Sequence, residues 1–110
     1  MPASAKAAAR STQKMFAALG DQTRLRIVAR LADGPLSIAK LTADSTITRQ
    51  AVTKHLRVLE RARLVHGARH GRETLWQLDR RRLEEARGYL DQISRQWDLA
   101  LARLRGFVED

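Results

Sequence analysis

Between Thr48 and Leu64, the apolar residues Val52, Leu56 and Leu59 recur at helical spacing, while Arg49, Gln50, Thr53, Lys54 and Arg57 fill the other side. This is the pattern of an amphipathic helix. Thr48 stands at its head, a hydroxyl residue suited to accept a hydrogen bond from an otherwise unpaired backbone N–H. An ordinary surface helix has the same periodicity, so the chemistry of the polar side matters more. Arg and Gln in a first turn are the side chains that pair bidentately with guanine and adenine edges in a major groove, and Glu60 is the one acid on that side.

The flanking patterns give this helix its setting. Met1–Arg10 is Ala-rich and weakly basic, and is expected to be an N-terminal arm or the first turns of a helix. Met15, Phe16 and Leu19 then form a short apolar face ending at Gly20, a candidate C-terminal cap. Asp21 is suited to cap a second helix whose buried side is expected at Leu25, Val28 and Leu31, stopped by Asp33-Gly34-Pro35. Leu36 predicts a strand of one or two residues. Ser37 then caps a short helix bearing Ile38 and Leu41, and Ala43–Ile47 forms a turn. Two short helices joined by such a turn, the second with a basic outer face, describe a helix-turn-helix.

After Leu64 the period changes. Leu64–Ala68 and Glu73–Leu78 predict two strands joined by Arg69-His70-Gly71-Arg72, with Gly71 supplying the positive φ of a hairpin. A hairpin directly after a recognition helix is a wing. From Asp79 the chain is helical again: Leu83, Ala86, Leu90, Ile93, Trp97, Ala100, Leu104 and Phe107 alternate steps of three and four, an unbroken seam. Helix through about Arg105 would span ~40 Å at ~1.5 Å per residue, more than a small winged core can cover. The excess is expected to pack on a second copy. The fold class is therefore mainly α with a small β-hairpin, a winged helix-turn-helix with a long C-terminal dimerisation helix. Residues 1–10 are the arm and 11–110 the domain.

At 110 residues the chain supports one modest core. Its net charge of +9 is unevenly placed: net +4 over residues 1–44, +5 over 45–78 and zero over 79–110. The positive field is thus densest around the basic helix and hairpin, which favours a polyanionic partner. The chain has no cysteine, excluding disulfides and thiolate metal sites. No apolar run approaches a membrane span and no signal-peptide core opens the chain, so a cytoplasmic, membrane-free protein is expected.

Three segments, in order, resemble the signatures of the ArsR/SmtB family of bacterial winged-helix repressors. Leu19-Gly20-Asp21-Gln22-Thr23-Arg24-Leu25-Arg26-Ile27 is similar to the family's opening Leu-x-Asp-Pro-Thr-Arg-x-x-Ile. Ala51-Val52-Thr53-Lys54-His55-Leu56-Arg57-Val58-Leu59 resembles its recognition helix. His70-Gly71-Arg72-Glu73 with Leu75-Trp76-Gln77-Leu78 resembles its wing. The resemblance implies a homodimer that represses transcription from a near-palindromic operator on double-stranded DNA. Many relatives release DNA on binding metal. Here Leu36-Ser37-Ile38-Ala39-Lys40 replaces their third-helix Cys-x-Cys, Lys40 would repel a cation, and the last helix has no histidine. His66 and His70 lie ~13 Å apart along an extended strand. No metal and no cofactor are expected. Two further departures are Gln22 for Pro and Arg63 where Gly is usual.

The expected DNA-binding residues are Thr48, Arg49, Gln50, Thr53, Lys54 and Arg57 of the helix, with Arg69, His70 and Arg72 of the wing. Arg49 and Gln50 are assigned to bases, and Lys54, Arg57 and the wing to phosphates. The expected dimer interface is Met15, Phe16, Leu19, Leu90, Ile93, Trp97, Leu101 and Leu104. His55 is expected to be structural, Trp76 to pack the wing on the core, and Arg24 to be either a DNA-backbone contact or a surface charge. The competing readings are a small basic RNA- or ribosome-associated protein and a module whose long helix binds a foreign helix. Single-stranded RNA readers present clustered exposed aromatics, and most of the aromatics here fall on apolar seams. Catalysis is not expected, since Glu84 and Glu85 point apart on a helix and no Ser-His-Asp grouping is evident.

Overall fold

The computed structural model describes residues 2–43 and 45–109. Asp44, within the expected turn, and the chain ends Met1 and Asp110 lie outside the described residues. The elements run α1 (Pro2–Leu19), α2 (Gln22–Leu31), α3 (Ile38–Ala43), α4 (Arg49–Arg61), β1 (Val65–His70), β2 (Glu73–Leu78) and α5 (Arg80–Glu109). This is a winged helix-turn-helix with a long C-terminal helix. The Ala-rich opening is helical from Pro2 and continuous with the apolar turn at Met15, as the high helix propensity of alanine favours.

The caps explain where the elements begin. The extended Asp21 carboxylate accepts from the Arg24 N–H at 3.0 Å and starts α2. Ser37 Oγ accepts from Lys40 N at 3.2 Å, Thr48 Oγ1 from Ala51 N at 3.1 Å, and Asp79 Oδ1 from Arg82 N at 3.2 Å. Each supplies an acceptor for one of the four N–H groups a helix start leaves open. Gly20 does not act as the expected left-handed cap, since the positive-φ glycines are Gly34 and Gly71. The end of α1 is closed instead by the Arg24 guanidinium, which donates Nε–H to the Ala18 carbonyl.

The core gathers one face from each element: Met15 and Ala18 of α1, Ile27 and Leu31 of α2, Leu41 of α3, Val52, Leu56 and Leu59 of α4, then Leu64, Val65, Trp76 and Ala86. One expectation is corrected. Leu25 is half exposed and Ile27 takes its place, because packing against α4 turns 27 and 31, rather than 25, inward. Met15 is 1% exposed, packed within this protomer's own core.

The wing is antiparallel in the register Val65↔Leu78 through His70↔Glu73. Its strand begins one residue later than expected and its loop is two residues, Gly71-Arg72, rather than four. Gly71 has φ 66° and Arg72 no positive φ, the sign pattern of a type II′ hairpin, whose twist matches the flanking strands. Leu36 forms the short strand anticipated for it, exchanging bonds of 3.0 and 2.8 Å with Trp76. Gly67 faces Trp76 across the ladder, and a Cβ there would lie 2.8 Å from Thr74 Cγ2. The bare backbone lets the indole lie against β1 and bury itself at the base of the wing.

Only Arg82 and Ala86 of α5 are buried, with Leu83 partly packed on the core. Beyond them the seam leaves the domain: Leu90, Trp97, Leu101 and Leu104 are half or more exposed, and Phe107 and Val108 more so. No helix among the described residues is long and apolar enough to cross a membrane.

Candidate nucleic-acid interface

The two sides of α4 are sharply divided. Val52 is 2% exposed and Leu56 and Leu59 are fully buried, so the helix cannot roll without exposing them. At about 1.5–3 kcal/mol for each fully buried aliphatic side chain, that anchor is strong. Arg49, Gln50 and Lys54 are exposed on the opposite side, and among the described residues none has a side-chain hydrogen-bond partner. Their donors and acceptors are available for base edges and phosphates. Thr48 is committed to its cap. Thr53 donates its hydroxyl to the Arg49 carbonyl at 2.8 Å, and Arg57 pairs with Glu60 at 3.2 Å on the surface. These last two therefore offer less than the sequence suggests, the hydroxyl as an acceptor only and the guanidinium with part of its charge answered.

The other end of α4 is closed by backbone. Arg63 N–H donates to the Glu60 carbonyl and Leu64 N–H to the Leu59 carbonyl, both at 2.9 Å. This is the paired 5→2 and 6→1 arrangement of a Schellman motif. It requires a left-handed residue, and the residue is Arg63 at φ 61°. An arginine thus takes a conformation that glycine adopts without a Cβ penalty.

On the wing, Arg69, His70 and Arg72 are exposed. Arg69 and His70 belong to β1, and Arg72 to the turn. Arg69 Nε donates to the Gly71 carbonyl at 3.3 Å, fixing its base against the turn. Gln77 and His66 are linked across the strands at 2.8 Å.

Two arginines that attach α4 to the rest of the fold carry more than the sequence indicated. Arg24 donates to Nδ1 of His55 at 3.4 Å, with the Asp21 carboxylate 3.9 Å from the same nitrogen. His55 is thereby a structural joint between α2 and α4, and the Arg24 guanidinium is engaged by the Ala18 carbonyl and the His55 ring. The Arg24 N–H, assisted by the Arg24 charge, holds the Asp21 carboxyl below its usual value of 3.8. Arg82, 5% exposed, has a role that sequence reasoning misses altogether. It donates Nε–H to the Ala62 carbonyl at 3.1 Å, Nη1 to Glu85 at 2.7 Å and Nη2 to the Ser11 carbonyl at 2.6 Å. It therefore joins α1, the end of α4 and α5. The available signal is its helical phase, four residues before Ala86, within a run of three arginines that charge alone cannot tell apart.

Of the expected contacts between copies, Phe16 and Leu19 are only partly buried, and Phe16 packs against Tyr89 of α5 with ring centroids 5.5 Å apart. They and the exposed α5 stripe lie on the helices that flank the winged core, separate from the α4 and wing surface.

A family model described as a helix-turn-helix domain matches residues 19–68. The chain is 44% identical over 92 residues to the HTH-type transcriptional regulator Rv2034 of Mycobacterium tuberculosis, covering 84% of this chain and 83% of that one. It is similar to the solved structure of an ArsR-like transcriptional regulator from Rhodococcus sp. RHA1, with TM-score 0.78 and 31% identity over 89% of this chain and 92% of that chain. It shares its fold, at TM-score 0.68 and 18% identity over 83% of each chain, with the homodimeric winged helix-turn-helix DNA-binding domain of Mb0332 from Mycobacterium bovis.

Proposed function

The chain belongs to the ArsR/SmtB family of winged helix-turn-helix, DNA-binding transcriptional regulators, and from that premise we propose that it acts as a homodimeric repressor of its own or a neighbouring promoter, without a metal effector. The observation that carries this reading is the Arg49, Gln50 and Lys54 edge, without a side-chain partner among the described residues and held outward by the fully buried Leu56 and Leu59. Arg49 and Gln50 read base edges in the major groove. Lys54, with Arg57 in part, neutralises phosphates, and Arg69, His70 and Arg72 of the wing bind the flanking backbone. Thr48 orients the edge by capping the helix, and Thr53 lines it.

Dimerisation is supported by the α5 stripe at Leu90, Trp97, Leu101 and Leu104, with the more enclosed Ile93 and the adjoining Phe16 and Leu19. Left bare it would be a large exposed apolar surface of the kind that marks an interface. Two copies related by a twofold axis would present their recognition helices about one helical turn of DNA apart, which matches a near-palindromic site. The absence of cysteine and the presence of Lys40 near the start of α3 support a signal other than a thiophilic metal.

Selection of genomic fragments by the purified protein tests the reading. Recovery of a twofold-symmetric sequence, bound at least about 10³-fold more tightly than unrelated duplex at physiological salt, is expected. Equal retention of all duplexes, or preference for RNA over the promoter duplex, would overturn it.

A further inference from the structure

Behind the recognition helix, at the end away from Arg49, lies a second basic constellation that the DNA-reading surface does not use. A cleft of about 280 Å³ opens between α1, the end of α4 and the start of α5. Arg10 and Lys14 line it from α1, Arg61 and Arg63 from α4 and its end, and Arg82 from α5, with Ser11 among them. No carboxylate is in the lining among the described residues; Glu85, the nearest acid on Arg82, is taken up by Nη1. From these convergent donors we infer that the cleft is a binding site for a small phosphate-bearing anion.

Three features separate it from a merely solvated basic surface. First, Arg82 is almost wholly buried yet uses only three guanidinium donors, on Ala62, Glu85 and Ser11. A guanidinium has five N–H groups in a planar fork that matches phosphate. One N–H on each terminal nitrogen therefore remains without a partner among the described residues. Second, Arg63 occupies a left-handed backbone position at φ 61°, where an L-residue other than glycine is strained and an outlier points to a functional role. Its Nη2 reaches Ser11 Oγ at 3.1 Å, on the rim of the same cleft. Third, apart from Arg82 Nε, which donates to the Ala62 carbonyl, the side chains of these cations are not spent on the negative end of α4, because the Leu59 and Glu60 carbonyls already accept from the backbone N–H groups of Leu64 and Arg63.

The volume falls just below the range of about 300–1,000 Å³ typical of pockets for drug-sized ligands, which selects a compact, highly charged group. DNA backbone is the less suited source of that phosphate. The cleft is about 20 Å from Arg49 along α4 at ~1.5 Å per residue, beside the α1–α5 layer. The site stands on its own geometry and does not depend on the proposed repressor role.

Isothermal titration of the DNA-free, full-length protein with inorganic phosphate and with pyrophosphate, at constant ionic strength set with chloride, tests it. One saturable site per protomer is expected. Arg63→Gly and Arg10→Gln, on different elements, should each weaken it about tenfold, the usual worth of one hydrogen bond to a charged group. Arg105→Gln, which removes the same charge from the far end of α5, should leave it unchanged. An absence of saturable binding, or equal weakening by all three variants, overturns the site in favour of diffuse attraction to a basic chain. Loss of duplex affinity in Arg63→Gly and Arg10→Gln without any binding of the free anions overturns it in favour of DNA phosphate.

Discussion

Arg49 stands at the first turn of α4, exposed and without a side-chain partner among the described residues, so its removal exposes nothing and strands no buried group. Arg49→Ala is expected to cost ~1–3 kcal/mol of operator binding and to relax preference at one base pair per half-site. Uniform weakening on every sequence, measured by competition binding, would instead assign Arg49 to phosphate. Arg63 presents the opposite case, a residue that works against its own backbone. Arg63→Gly relieves the left-handed strain at φ 61° and gives up one exposed bond to Ser11, so urea unfolding should show a gain of about 1 kcal/mol. A loss would mean that the Ser11 contact outweighs the strain. Asp21 couples stability to pH. Its folded carboxyl titrates below 3.8, so its capping contribution is complete above that value and is lost as the pH falls through the lower, folded value. Asp21→Asn, which caps without ionising, should flatten the acid limb of the unfolding midpoint against pH, and Asp21→Ala should lower the midpoint at neutral pH. An acid limb unchanged in Asp21→Asn would place the sensitivity elsewhere.

Among the elements, the wing has a direct prediction. Arg72 occupies a two-residue turn at the hairpin tip, so Arg72→Ala should leave the fold intact and reduce the slope of log K against log salt by about one; an unchanged slope removes the tip from the DNA. The elements also show how far the sequence can be read. The recognition helix, its Thr48 cap, the Ser37 and Asp21 caps and the hairpin are legible because each is set locally, by a period or by a side chain bonding its own neighbours. The phase of α2 is not: Leu25 and Ile27 are equally apolar, and only packing against α4 decides that Ile27 is buried. The wing loop reads two residues too long, because Arg69 and His70 are polar residues that cross-strand pairing holds in β1. Met15 shares an apolar face with Phe16 and Leu19 in the sequence, but a methionine can fill an irregular gap in the core and this one does. In the candidate site, the outward edge of α4 is legible from chemistry. The interior fastenings by Arg24 and Arg82 span 31 and 71 residues of sequence and leave no local trace.

For the molecule as a whole, the longest dimension is 66 Å, much of it α5, whose 30 residues extend ~45 Å. Trp97 and Leu104 lie beyond the winged core and are 63% and 59% exposed. Trp97→Glu with Leu104→Glu should therefore abolish self-association while retaining the helical circular dichroism of the domain. Analytical ultracentrifugation should find a dimer before and a single subunit after; a single subunit before substitution would end the dimer reading. The fastening of Ala62 by Arg82 has a mechanical consequence. At its root α4 is held by Arg82 to the α1–α5 layer, which carries the proposed dimer stripe, and Arg49 lies about 20 Å from that point. A tilt of about 10° at that root would sweep Arg49 through about 3.5 Å, more than the length of one hydrogen bond. Under the proposed function such a swing would disengage the outward edge of α4 with every helix intact, so release from DNA would call for rotation, not melting.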